Sequence, residues 1–370
     1  MAFRVLALPI CGSLLVVVIL LAIVVPLLFT SAASQCKHPP TIFIFGDSNS
    51  DTGGLVAGLG FPINLPNGRT FFRRSTGRLS DGRLVIDFLC QSLKTNFLNP
   101  YLDSLGGSNF TNGANFAIVG SSTIPKFDPF SLNIQVMQFV RFKARTLELV
   151  SAGSTNMISE ERFKNALYMI DIGQNDLSAA FATNLSDLQL TKRLPTVIRE
   201  IENAVKAIHA QGGRKFWIHN TGPLGCLPQK LALIEQKDLD PHGCILRYNN
   251  AAKLFNEGLL ETCQKLRSEL TDATIVYVDI YSIKYDLIAN SSKYGFSNPL
   301  MACCGHGGPP YNYDRNITCS EPGHEVCSEG SKFISWDGIH YTEAANTIVA
   351  SKVLSKAYSS PSTAFDFFCQ

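Results

Sequence analysis

The sequence predicts an α/β fold in three layers, a mainly parallel sheet covered by helices on both faces. Three observations predict it. Short apolar runs of strand character alternate with longer segments whose apolar residues recur every three or four positions. The 370 residues are 45% hydrophobic with a formal charge of +2, the composition of an ordinary globular domain. No internal repeat or low-complexity linker divides the chain. The balanced charge also argues against a nucleic-acid-binding stripe, and the apolar content excludes intrinsic disorder.

The chain opens on residues 5–29, almost wholly apolar, with Arg4 before them and Ser31, Ala32, Ala33 and Ser34 behind. This is the layout of a signal peptide over residues 1–34, although its length also allows an uncleaved signal-anchor. Pro26 and the small residues after it favour cleavage. No second run approaches membrane length, which excludes a multi-span protein. Residues 35–370 are then expected as a single domain in the secretory lumen or outside the cell.

The first strand falls on residues 41–45 and stops at Gly46. A loop rich in glycine and asparagine follows, then helical spacing over 84–93. A strand is expected over 115–119, a long amphipathic helix over 132–150, and a buried strand over 166–172 that ends at Gly173. Val197, Ile201, Ala204, Val205 and Ile208 form one apolar stripe on the next helix, which Gly212 and Gly213 end. A strand over 216–219 leads into a turn-rich stretch, then a helix over 245–270 and a strand over 273–280. Residues 294–331, rich in cysteine and glycine, are too long for a plain connection. The last helix is expected over 342–357.

Cys11 lies in the leader. The others are Cys36, Cys90, Cys226, Cys244, Cys263, Cys303, Cys304, Cys319, Cys327 and Cys369, an even set that favours disulfides in an oxidising compartment. Cys303, Cys304, His306, Cys319, His324 and Cys327 raise zinc as the alternative. However, no Cys-x-x-Cys or His-Glu-x-x-His spacing is present, and adjacent cysteines chelate one ion poorly, so no metal is expected. Asn109, Asn184, Asn290 and Asn316 open Asn-x-Ser/Thr triplets. Chance alone gives about three, so these are candidate glycosylation sites only once secretion is accepted.

In a parallel sheet, ligands bind at the carboxyl ends of the strands. Two polar clusters follow strands, Gly46-Asp47-Ser48-Asn49-Ser50-Asp51 and Gly173-Gln174-Asn175-Asp176; a third, Asp337-Gly338-Ile339-His340, precedes the last helix. Together they supply a serine, an amide donor, and a histidine with a carboxylate three residues before it. That is the inventory for acyl transfer through an activated serine. Each residue alone has a plainer role: Ser48 and Asp337 as caps, Asn175 as a turn residue, His340 as a surface histidine. Their place at the expected active edge favours the chemistry. The absence of a Gly-x-Ser-x-Gly elbow argues against an α/β-hydrolase, and no phosphate loop or dinucleotide fingerprint calls for a cofactor.

Four blocks resemble, in order, those of the plant GDSL esterase/lipases of the SGNH hydrolase superfamily. They are Phe45-Gly46-Asp47-Ser48, Gly113-Ala114-Asn115-Phe116-Ala117, Gly173-Gln174-Asn175-Asp176 and Asp337-Gly338-Ile339-His340. The loop Thr221-Gly222-Pro223-Leu224-Gly225-Cys226-Leu227-Pro228 resembles the plant branch, while Asn49 stands where many relatives have leucine. The resemblance implies a flavodoxin-like three-layer fold. It also implies roles: Ser48 as nucleophile, His340 as general base and then acid, and Asp337 orienting the imidazole. The implied oxyanion hole is the backbone N–H of Ser48, the backbone N–H of Gly113 and the Asn175 amide.

The activity so implied is a cofactor-free, secreted serine esterase that hydrolyses carboxylic esters, short-chain acyl or acetyl, through an acyl-enzyme. No amphipathic segment is clearly suited to a lid, which favours a small-molecule or glycan ester over emulsified fat. A retained anchor would instead favour a Golgi polysaccharide deacetylase. Two other readings stay open: a catalytically silent extracellular binding protein, and a glycosidase using Asp47 or Asp176. The chain is expected to be a monomer with no nucleic-acid partner, and without stable membrane insertion once the signal is cleaved.

Overall fold

The computed structural model describes residues 36, 39–105, 109–125, 129–235 and 238–369. The expected leader, residues 1–34, lies outside the described residues. The segment His38–Gln370 forms one compact unit.

The strands are β1 (Ile42–Gly46), β2 (Gly113–Asn115), β3 (Leu167–Asp171), β4 (Lys215–His219), β5 (Thr274–Val278), β6 (Cys304–Gly305), β7 (Glu325–Val326) and β8 (Ser359–Ser360). One sheet runs in the order β2-β1-β3-β4-β5-β8, parallel except for β8, which pairs antiparallel with β5; β6 and β7 make a separate antiparallel pair. The central strands are aromatic and β-branched and buried along nearly their whole length, as a sheet covered on both faces requires.

The helices are α1 (Gly54–Leu59), α2 (Val85–Ser92), α3 (Leu132–Ser151), α4 (Glu160–Lys164), α5 (Gln174–Ala182), α6 (Asp187–Ala210), α7 (Pro228–Leu233), α8 (Leu246–Glu269), α9 (Ile280–Ala289) and α10 (Glu343–Leu354). Phe43, Phe45, Tyr168, Ile170, Phe216 and Ile218, alternate residues of three strands, share one core with Phe139 of α3, Val205 of α6 and Phe255 of α8. On the opposite face, Trp217 meets Phe365 and Phe368 edge-on, and α10 packs against α2 and α9. The three-layer α/β/α architecture is therefore as the sequence predicts.

The register aligns the carboxyl ends. Gly46 faces Asp171, Asp171 faces His219, and His219 faces Val278. Asp47, Ile172, Asn220 and Asp279 thus each leave the sheet on the same edge.

Most boundaries fall within one residue of expectation, the last helix ends three residues early at Leu354, and two strand ends differ for side-chain reasons. β2 ends at Asn115, where a strand was expected to begin; Phe116 N still donates to the Ile44 carbonyl at 2.8 Å, while Asn115 bends the segment, its Nδ2 donating to the Ser50 carbonyl at 2.7 Å and its Oδ1 accepting from Ala117 N at 2.9 Å. The last parallel strand stops at Val278, since Asp279 caps α9 by accepting from Ser282 N at 3.0 Å.

The cysteine-rich stretch is stapled, by Cys303–Cys327 and Cys304–Cys319, and Cys226–Cys244 closes the loop after β4. Cys36 and Cys369 are also disulfide-bonded. With Cys303, Cys304, Cys319 and Cys327 in S–S bonds, no thiolate remains there for zinc. Cys90 and Cys263 depart from the even pairing. Both are free and buried, and burial pushes both thiols up.

Candidate active site

Gly46 closes β1 between both ends of one buried amide. Its N–H donates to Gln135 Oε1 at 2.8 Å, and its carbonyl accepts from Gln135 Nε2 at 2.8 Å. The chain then turns, with Ser50 N donating to the Asp47 carbonyl at 3.1 Å, so Ser48 sits inside a tight turn and is 5% exposed. The backbone N–H of Ser48 has no hydrogen bond among the described residues. The Asp47 carboxylate points inward and accepts from Asn49 N at 3.0 Å and Asn49 Nδ2 at 2.9 Å. Burial first, and the neighbouring Asp171 second, push it up to about 7.

The second component lies ahead of α10. Cys303 N donates to the Ser335 carbonyl at 3.0 Å and Cys304 N to the Trp336 carbonyl at 2.7 Å, so the stapled loop grips the segment leading to Asp337. His340, 5% exposed, places Nδ1 at 2.6 Å from Asp337 Oδ2, while Asp337 Oδ1 accepts the backbone N–H groups of Ile339 and His340 at 3.0 and 2.8 Å. Because an ionised carboxylate only accepts, Nδ1 carries the proton and Nε2 has the lone pair. Nε2 is buried and has no hydrogen-bond partner among the described residues. Burial would raise Asp337, but the adjacent His340 imidazole and these hydrogen bonds outweigh it and hold the carboxyl below its ordinary range. This is an oriented imidazole with its basic nitrogen unspent.

The third component is the turn 118–121 beyond β2. Ile118 N donates to the Gly46 carbonyl at 3.2 Å, Val119 N to Asp51 Oδ2 at 2.8 Å, and Ser121 N to the Ile118 carbonyl at 3.1 Å. Asn175, near the start of α5, donates from Nδ2 to the Ser121 carbonyl at 2.9 Å, and Gln135 Nε2 lies 3.1 Å from Ser121 Oγ. Within this turn the N–H of Gly120 has no hydrogen bond among the described residues, and Gly120 takes a positive φ of 82°. Sequence reasoning missed Gly120 and Gln135. The available signals were a glycine just past a strand's carboxyl end and a glutamine on the apolar stripe of α3.

Gly113 is not brought to this edge, which corrects the expectation for it. It pairs with Ile42 at the start of β1, roughly 13 Å from Gly46 at the usual strand rise, and its N–H is spent on the Phe110 carbonyl at 3.0 Å. Its glycine identity has a packing cause: at φ 118°, a Cβ would lie 1.8 Å from the Ile42 carbonyl oxygen.

The serine and histidine loops meet at Lys284 of α9, whose Nζ lies 3.2 Å from Asn49 Oδ1 and 4.2 Å from the centroid of the Tyr341 ring. These are the chain neighbours of Ser48 and His340, and Asp47 lies within electrostatic reach of His340. Asp176 belongs to the scaffold: its carboxylate accepts from Thr123 N at 2.9 Å and Thr123 Oγ1 at 3.0 Å. A cavity of about 690 Å³ opens beside Thr52 and Gly53 but is lined by neither Ser48 nor His340. The sequon residues Asn109, Asn184, Asn290 and Asn316 are all exposed.

The family described as GDSL-like lipase/acylhydrolase matches residues 42–353 of the chain. Two GDSL esterase/lipases of Arabidopsis thaliana are 67% and 65% identical to it over 342 and 343 residues, each alignment covering 92% of both chains. A third similar protein of the same plant is named alpha-L-fucosidase 3; it is 45% identical over 350 residues, covering 88% of this chain and 93% of its own.

Proposed function

The chain belongs to the GDSL-like lipase/acylhydrolase family, and from that premise we propose a serine carboxylesterase in which Ser48, His340 and Asp337 act as nucleophile, base and orienting carboxylate. One observation carries the assignment. His340 is fixed by Asp337 through Nδ1 with its buried Nε2 left unspent, and the chain neighbours of Ser48 and His340, Asn49 and Tyr341, meet the same Lys284 ammonium. Nε2 takes the Ser48 proton as Oγ attacks the ester carbonyl, and returns it to the leaving alkoxide as the acyl-enzyme forms. Water then repeats the sequence and releases the acid. The developing oxyanion is met by the N–H groups of Ser48 and Gly120, with the Asn175 amide beside them, each such donor typically contributing about 3 kcal/mol.

The substrate class we propose is a soluble carboxylic ester with a short acyl group, such as an acetylated glycan or glycoside. Residues 1–34 are proposed as a secretory leader, which the disulfides support. N-terminal sequencing of the mature protein tests this: an intact leader would favour a Golgi-anchored deacetylase. Glycoside hydrolysis is the second reading, raised by the relative named a fucosidase. The geometry favours ester chemistry, because Asp47 is turned inward onto Asn49 and Asp176 is engaged by Thr123, leaving neither to flank a sugar.

The test is Ser48→Ala. It should yield a folded protein whose turnover of a short-chain acyl ester falls about 10³-fold or more, and which a fluorophosphonate probe no longer labels. Wild-type-like turnover by the variant would refute the assignment, as would a wild-type protein that the probe does not label.

A further inference from the structure

Lys284 is buried, 6% exposed, within α9. Its ammonium donates to Asn49 Oδ1 at 3.2 Å and lies 4.2 Å from the Tyr341 ring centroid. Gly222, in the turn after β4, makes room for the stem: a Cβ there would lie 3.0 Å from Lys284 Cδ. Asp47 and Asp171 face the ammonium electrostatically. Asp171 in turn accepts from Ser50 Oγ at 2.7 Å and stands 3.7 Å from His219 Nδ1. A buried ammonium is costly unless charge and ring partners compensate it, so these contacts explain why it persists.

We propose that Lys284 is a positioning residue for ester hydrolysis: its ammonium ties the Ser48 loop, through Asn49, to the His340 loop, through Tyr341, and offsets the carboxylates of Asp47 and Asp171 beneath the serine. The proposal rests on Ser48 and His340 being the reacting pair. Asn49 follows Ser48 and Tyr341 follows His340 in the chain, so both reacting side chains lie one residue from a contact of the same cation. Lys284 also orients the Asn49 amide, with Oδ1 toward the ammonium and Nδ2 toward Asp47.

The charged and titratable groups around this centre come from every packed element. They are Asp47 on the serine loop, Asp171 at the end of β3, His219 at the end of β4, and Asp337, His340 and Tyr341 ahead of α10. Removing one positive charge makes Asp47 and Asp171, the carboxylates it faces, hold their protons to higher pH. The ionised Asp47 carboxylate accepts both Asn49 N–H groups that shape the Ser48 turn, so the acid limb of the rate profile must move upward.

The experiment compares wild type with Lys284→Met by kcat and KM on a short-chain p-nitrophenyl ester from pH 5 to 9, with fluorophosphonate labelling and a thermal melt. The variant is expected to lose about tenfold or more in kcat with KM within about twofold, and its acid limb to rise by about half a pH unit or more. A folded Lys284→Met with wild-type kcat and an unmoved limb overturns the proposal. If that variant does not fold, Asn49→Leu decides, because it cuts the tether and leaves the ammonium in place. Lower kcat at constant KM then supports the proposal, and wild-type kcat overturns it. A wild type that the probe leaves unlabelled at Ser48 sinks the esterase reading itself, which separates the two failures.

Discussion

Gly113 and Gly120 sit on the same stretch of chain at opposite ends of β2, and that difference decides which can reach a substrate. Gly120 lies past the carboxyl end, where the turn is held by Gly46, Asp51 and Asn175. Gly113 lies at the entry end, against the Ile42 carbonyl. Gly113→Ala should therefore damage stability rather than chemistry. A left-handed backbone and a forced contact each cost about 1–3 kcal/mol, so the melting temperature should drop clearly while kcat of the folded fraction stays near wild type. A selective loss of kcat at unchanged stability would restore Gly113 to the oxyanion hole. The proposed triad Ser48, Asp337 and His340 could be named from the sequence as candidates because a parallel sheet puts strand-end loops together, and because three residues suffice for a carboxylate to reach an imidazole. Gln135 and Lys284 were not legible. A single polar residue on an apolar helical stripe looks like noise until its partner, more than 80 residues away, is in place.

The order of strands and helices followed from apolar periodicity, which is strong where a segment is long, as in α3, α6 and α8. It failed at Asn115 and Asp279, whose side chains bind the backbone that follows, and for α9, whose apolar residues follow β5 after the single residue Asp279. The cysteine-rich loop was legible as a staple, but its purpose was not. Cys303–Cys327 spans a separation of 24 residues, and the backbone N–H groups of Cys303 and Cys304 hold the two carbonyls just before Asp337. Replacing Cys303 and Cys327 together with serine should cost about 3 kcal/mol by loop-closure entropy. Below the unfolding transition it should also lower kcat about tenfold, as the Asp337–His340 pair loses its fixed place. Limited proteolysis should then cut first within residues 303–331. Unchanged kcat with faster cleavage would mean that the Asp337–His340 pair is held by α10 alone.

Charge burial across the sheet edge gives the folded protein a preferred pH. Asp286, paired with Lys352 and bonded by Tyr294, is held at about 2 despite partial burial, and Asp337 and Asp171 are also lowered. Each binds fewer protons folded than unfolded. Its stabilisation is present above the ordinary carboxylate value of 3.8 and is lost as pH falls through the folded value. Asp47 has the opposite sign. Raised to about 7 by burial and by Asp171, it binds more protons folded than unfolded between 3.8 and about 7, so its contribution declines as pH rises through that window. Burial raises Asp51 and Asp81 in the same sense. The two groups of carboxylates squeeze stability from both sides, and the melting temperature should peak in mildly acidic buffer, near pH 4–5. Asp47→Asn separates the contributions, because the amide keeps an oxygen for Asn49 but never ionises. Its melting temperature relative to wild type should rise steadily from pH 4 to 7, leaving the acid flank unchanged, whereas Asp286→Asn should flatten the acid flank alone. Melting curves for Asp47→Asn that run parallel to wild type across pH 4–8 would show that the carboxylate beneath the serine stays ionised throughout, and that the neutral-side decline has another origin.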